Sequence, residues 1–196
     1  MMKLNALLIL MLAASPASAA PASASQCKAG ETTYFNCAVK HGAKVVSLCG
    51  KGNGGAGSYL QYRYGAPGQQ AELVHPSTKR YSAMGETFFF DSTVPKDGGR
   101  NETGVWFEHE NTYYELKYTT DLAASGQTTG GESEILMWLG VPSGAPRPLV
   151  CKQAHGGASL HGAAALIEAM SPPGRAWKMS PLDVYYLPKP PAPKAD

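Results

Sequence analysis

Between residues 33 and 152 the chain alternates short apolar stretches with turns rich in glycine, proline and asparagine. Residues 33–39 (TYFNCAV) are β-branched and aromatic, the composition of a strand. A His41-Gly42 turn signal follows, and 44–49 (KVVSLC) returns as a second strand. After a glycine loop over 50–57, residues 58–64 (SYLQYRY) form a third. Alternation there puts Leu60, Tyr62 and Tyr64 on one side and Tyr59, Gln61 and Arg63 on the other. Residues 71–75 read as a short fourth strand ended by Pro76, 87–91 (TFFFD) as an apolar fifth, and 134–139 (EILMWL) and 148–152 (PLVCK) as later ones. Residues 95–101 and 121–133 read as loops, the second mobile. Regular short strands with such punctuation predict a mainly β domain, an antiparallel sandwich or barrel.

The segment 104–120 predicts a hairpin with a specified register. With Glu110-Asn111 as a two-residue turn, Phe107 faces Tyr114 and Val105 faces Leu116 on one side. Trp106 faces Glu115 and Glu108 faces Tyr113 on the other. The first face is apolar and the second mixed, and a one-residue slip would scramble that separation.

The two ends of the chain differ from the middle. Residues 159–170 (SLHGAAALIEAM) are Ala-rich and stopped by Ser171-Pro172-Pro173-Gly174, which predicts one short C-terminal helix weakened at its start by Gly162. Residues 188–196 are a proline-rich tail without apolar surface to bury. At the start, Lys3, the apolar run 6–14 and Ala17-Ser18-Ala19 have the three parts of a secretory signal peptide over 1–19. The run is too short to cross a membrane, which takes about 20 apolar residues. A single disulfide-stabilised β domain over 20–187 is therefore expected in the periplasm or outside the cell.

Composition sharpens this in two ways. Lys+Arg number 17 and Asp+Glu 15, a balance without an electrostatic case for nucleic acid. The 4 cysteines, Cys27, Cys37, Cys49 and Cys151, lack metal-ligand spacing, and in an exported chain an even number implies two disulfides. Three connectivities are open. A local Cys37–Cys49 bridge between adjacent strands would leave Cys27 with Cys151.

Motifs of familiar chemistry fail on context. Residues 50–55 (GKGNGG) fit G-x-G-x-x-G, but a strand follows where a dinucleotide site needs a helix, so a flexible hairpin loop is expected. No G-x-S-x-G is present. The histidines His41, His75, His109, His155 and His161 include no i, i+4 pair, so neither a metal nor a cofactor is expected. Glu108 with Glu110, and Glu132 with Glu134, have the spacing of a solvated strand face more than of an acid–base pair. Asn101-Glu102-Thr103 is a glycosylation sequon.

The mixed face of the hairpin is the candidate binding surface. Trp106, Glu108, Tyr113, Glu115 and Lys117 share it, and aromatics beside carboxylates suit a protein or sugar ligand. A further layer over that face would instead make Trp106 core, the commoner fate of a large aromatic.

Three segments carry a resemblance. Tyr34-Phe35-Asn36-Cys37, then 44–49, then 59–65 (YLQYRYG) resemble an F-x-C … K-x-V-S-x-C … Y-x-Q-Y-R-[FY]-G pattern in a group of uncharacterised exported bacterial proteins. A fainter likeness is to periplasmic lysozyme inhibitors of the antiparallel barrel type, which also open with a Tyr-x-Cys strand; Ala56-Gly57-Ser58-Tyr59 loosely echoes their inhibitory segment. The resemblance implies a bacterial exported protein and brings no catalytic residues. The function expected is non-catalytic or inhibitor-like binding of a protein or cell-envelope ligand. The alternative is an envelope hydrolase acting on glycan or peptide.

Overall fold

The computed structural model describes residues 25–40, 43–79, 87–93, 99–122, 128–139, 147–155 and 160–172. The signal segment 1–19, the His41-Gly42 turn and the tail 188–196 lie outside the described residues. The strands are β1 (Thr32–Val39), β2 (Val45–Lys51), β3 (Tyr59–Gly65), β4 (Leu73–His75), β5 (Phe89–Thr93), β6 (Gly99–His109), β7 (Thr112–Leu122), β8 (Thr128–Leu139) and β9 (Arg147–His155), followed by helix α1 (Leu160–Met170). The protein is mainly β, as its alternation predicts. The segment 121–133 is not a loop throughout: β7 runs to Leu122 and β8 begins at Thr128.

Strand order is β4-β3-β2-β1-β9-β8-β7-β6-β5. Every neighbour pairs antiparallel, so β4 and β5, at the two ends of nine strands, run in the same direction. β9 belongs to both halves of the order. Its first residues pair with β8, Glu134 opposite Val150, and its last with β1, Asn36 opposite His155. A strand shared in this way lets two antiparallel sheets face each other across one core. The two ends approach through side chains, with the His75 ring 4.6 Å from Phe107 and 5.8 Å from Phe88.

The hairpin of β6 and β7 has the register its polarity demands. Val105 lies opposite Leu116, Trp106 opposite Glu115, Phe107 opposite Tyr114 and Glu108 opposite Tyr113. Glu110 and Asn111 both take positive φ, 46° and 60°, the turn whose twist matches flanking strands. The apolar face enters the core with Phe35, Leu48, Leu60, Tyr62, Phe88 and Ile135.

Helix α1 closes that core. It turns Leu160, Ala163, Ala164, Leu166, Ile167 and Met170 inward, a stripe at helical spacing. Gly162 brings it close to Tyr34: a Cβ there would lie 3.3 Å from the ring. The loop after β2 is the helix's seat rather than a loose connection. Gly54 is buried, with φ of +100°, and a Cβ on it would stand 2.4 Å from the Cβ of Ala169. The Ser58 hydroxyl accepts from the Gly54 N–H at 3.0 Å. Three of this loop's glycines, Gly52, Gly54 and Gly57, take positive φ, so the G-x-G-x-x-G spelling reflects backbone shape and close packing rather than phosphate chemistry.

Both disulfides form, but in a pairing other than the local one. Cys27 joins Cys49 and Cys37 joins Cys151, each with Cα atoms 5.3 Å apart. Register gives the reason. In the β1–β2 ladder Cys37 stands opposite Val46 while Cys49 stands opposite Thr33, so the two cysteines are rungs apart. The β1–β9 pairing, invisible in local sequence, carries Cys151 to the rung of Val39, beside Cys37.

Candidate functional site

The face of β3 opposite Leu60 and Tyr62 carries Tyr59, Gln61 and Arg63, and all three are buried. The segment before β1 lies over them. Cys27 ties it to Cys49, the Gln26 N–H donates to the Ser47 hydroxyl at 3.0 Å, and Arg63 Nη1 donates to the Gln26 carbonyl at 3.0 Å. Ser47 in turn donates to Asn36 Oδ1 at 2.7 Å. The outer layer is thus polar and its groups answer one another, as burial requires.

At its centre is a buried ion pair. Arg63 grips Glu31 with both terminal nitrogens, Nη1 to Oε2 at 2.6 Å and Nη2 to Oε1 at 2.7 Å, and Nη2 also donates to Gln61 Oε1 at 2.7 Å. The side chains are 4% and 3% exposed. Tyr59 and Lys79 also donate to Glu31 Oε1, at 2.6 and 3.1 Å. Burial pushes the Glu31 carboxyl up, but hydrogen bonds from Arg63, Tyr59, the Lys28 N–H and Lys79 outweigh it and hold the group well below the usual carboxylate range. Glu31 is therefore a fixed anion and has no proton to exchange near neutrality.

Beside this pair opens a cleft of about 740 Å³, reached by Gln26, Lys28, Gln61, Arg63, Gln69 and Lys79. Its described lining includes Lys28, Arg63 and Lys79 and holds no carboxylate and no imidazole. Glu31 answers Arg63 and, in part, Lys79. The Gln26 side chain donates to the Ala66 carbonyl and Gln61 is held between Arg63 and the Pro76 carbonyl, which leaves Lys28, the outer side of Lys79 and Gln69 to meet a ligand. A cation- and amide-lined concavity has the chemistry to suit an acceptor-rich anion.

Of the two fates open to the hairpin face, burial is the one Trp106 takes. Trp106 is 4% exposed and Glu115 fully buried, whereas Tyr113 is half-buried and Glu108 exposed. Phe89, opposite Trp106 in the β5–β6 ladder, stacks on it at 4.6 Å, and Tyr113 lies 6.5 Å away. Charged groups next to them are buried too. Lys117 Nζ is 3.4 Å from Glu102 Oε2 and 3.6 Å from Glu115 Oε1. Gly104 leaves them room: a Cβ there would meet Asp91 Oδ1 at 2.5 Å and Glu115 Oε1 at 2.8 Å. Trp106 and Glu115 are thus interior, while Glu108 and part of Tyr113 stay at the surface.

Other sequence candidates resolve similarly. The sequon lies inside β6, where Thr103 is 2% exposed and its Oγ1 sits 3.0 Å from His161 Nδ1, so the folded strand cannot present it. Cys27, Glu31 and Cys49 cluster like metal ligands, but both sulfurs are spent in one disulfide. Sequence reasoning missed Glu31 and Lys79: each lies in a turn-rich stretch outside any strand pattern, and only tertiary folding brings them to Arg63. No known family model, curated protein or solved structure matches the chain.

Proposed function

We propose that the protein is an exported, non-catalytic binding protein of the bacterial envelope, and that its ligand is an acidic polypeptide segment held in the cleft beside β3 and β4. The observation that carries this is the cleft's lining of cations and amides around a carboxylate already fixed by Arg63. A hydrolase acting on glycan or peptide needs a group that takes or gives a proton at working pH, and Glu31, held ionised, does not serve. Two disulfides suit an oxidising compartment. Among the described residues no helix is long and apolar enough to cross a membrane.

The test is fluorescence anisotropy with a labelled hexaglutamate peptide at low salt. Saturable binding that weakens with added salt is expected, reduced roughly tenfold or more by Lys28→Glu or Lys79→Glu. Absence of saturation, or binding indifferent to both substitutions, would overturn the proposal.

A further inference from the structure

Strand alternation turns Val74 of β4 toward the cleft and His75 to the opposite side, against the core. There His75 meets His109, the last residue of β6, across the ends of the strand order. The two Nδ1 atoms stand 3.3 Å apart. The residues are 34 positions apart in the chain, so no local spacing announces the pair.

The geometry points to a binding site for one divalent transition metal ion of the zinc or copper class, held by the Nδ1 atoms of His75 and His109. Two imidazole nitrogens on one ion, each at roughly 2.0–2.1 Å and at a tetrahedral angle, stand about 3.3 Å apart. The ring centroids are 5.1 Å apart with planes at 60°. Rings aimed straight at each other across the same nitrogen separation would have centroids farther apart, so the nitrogens do not both point along the line joining them. They lean off it, so that without an ion the two share one N–H···N hydrogen bond and with one both can turn their lone pairs to a point between them.

The surroundings hold this arrangement. Phe107 stacks on His75 at 4.6 Å and 12°, and Phe88 meets its edge at 5.8 Å. That packing fixes the ring of one ligand before any ion arrives. His75 Nε2 is buried with no hydrogen-bond partner, so the only polar contact of that imidazole is the one at Nδ1. His109 is the solvent-side ligand, its side chain 28% exposed, with Glu110 Oε1 3.8 Å from its Nε2. A carboxylate there adds negative charge behind the ligand, a common outer partner of metal-bound histidine. Water or a ligand of the partner completes the coordination on the exposed side. Imidazole donors select zinc, copper and nickel over calcium and magnesium.

The test uses the full untagged mature chain, stripped with a chelator and titrated calorimetrically with zinc and, separately, copper(II) at pH 7.5. One ion per chain is expected, with nitrogen splitting in the copper spectrum. His109→Gln, at the exposed end of β6, should weaken binding at least tenfold, and His75→Gln should do the same. His161→Gln, whose ring contacts Thr103, should leave it unchanged. If His75→Gln fails to fold, His109→Gln decides alone. Absence of binding up to high micromolar metal, or equal affinity in the His109 variant, would overturn the site.

Discussion

The cleft beside β3 and the outer face of the β6–β7 hairpin are both polar strand faces with buried charges, yet they have different fates. On β3 the covering segment pins Arg63 to Glu31 and stops short of filling the space, leaving a cleft. On the hairpin, Trp106 and Glu115 lie 4% and 0% exposed, and Phe89 stacks against the indole. Both faces satisfy the same strand alternation. What separates the open face from the interior one is how far each is covered, and alternation is silent about that.

The largest effect expected comes from the bridge that joins the two halves of the strand order. Removing Cys37–Cys151 as a Ser pair opens a 114-residue separation, against 22 for Cys27–Cys49. On chain entropy the first should cost about 4.8 kcal/mol and the second about 3.4. Urea midpoints of the two double variants measure the difference. Equal losses would mean that the halves are not held mainly through β1 and β9.

Next, Trp106→Ala should cost about 3–5 kcal/mol, the usual penalty for truncating a buried tryptophan, while Glu108→Ala on the same strand should change stability by less than about 0.5 kcal/mol. Thermal melts of both decide whether the hairpin face is interior. A Trp106→Ala protein that melts like the parent would return that face to the role of an exposed binding surface.

On the cleft side, Glu31→Gln leaves the Arg63 guanidinium buried without its anion and should cost about 3 kcal/mol. The pH dependence has a definite sign. Because the carboxyl is held below its ordinary value, its contribution is present in full above the ordinary carboxylate range and is lost as pH falls through and below it. Stability should therefore decline on acidification in the parent, and less steeply in Glu31→Gln, as read by denaturation at several pH values. Smallest of all, Lys79→Ala should change stability by under about 1 kcal/mol, since its side chain is 39% exposed. It should nevertheless weaken anion binding.

Much of this architecture was legible in residue order. The hairpin register followed from segregating Val105, Phe107, Tyr114 and Leu116 from their neighbours, and the turn at Glu110-Asn111 from the count between them. The sidedness of β3 followed from alternation. The disulfide pairing did not, because it depends on β9 reaching back to β1 over more than a hundred residues. The site was hidden for the same reason. Arg63 and Lys79 lie 32 and 48 positions beyond Glu31, and no periodicity links charges across such distances. Trp106 shows the complementary limit: alternation assigned its face but left open whether that face was covered, and its burial is the commoner fate of a large aromatic.

The contrast between the two faces comes to one measurement, backbone amide shifts recorded while hexaglutamate is titrated into the isotope-labelled protein. The account predicts shifts confined to the cleft, at Gln26, Lys28, Gln61, Gln69 and Lys79, with the amides of Trp106, Tyr113 and Glu115 unmoved. Shifts centred on the hairpin, or none at either face, would contradict it.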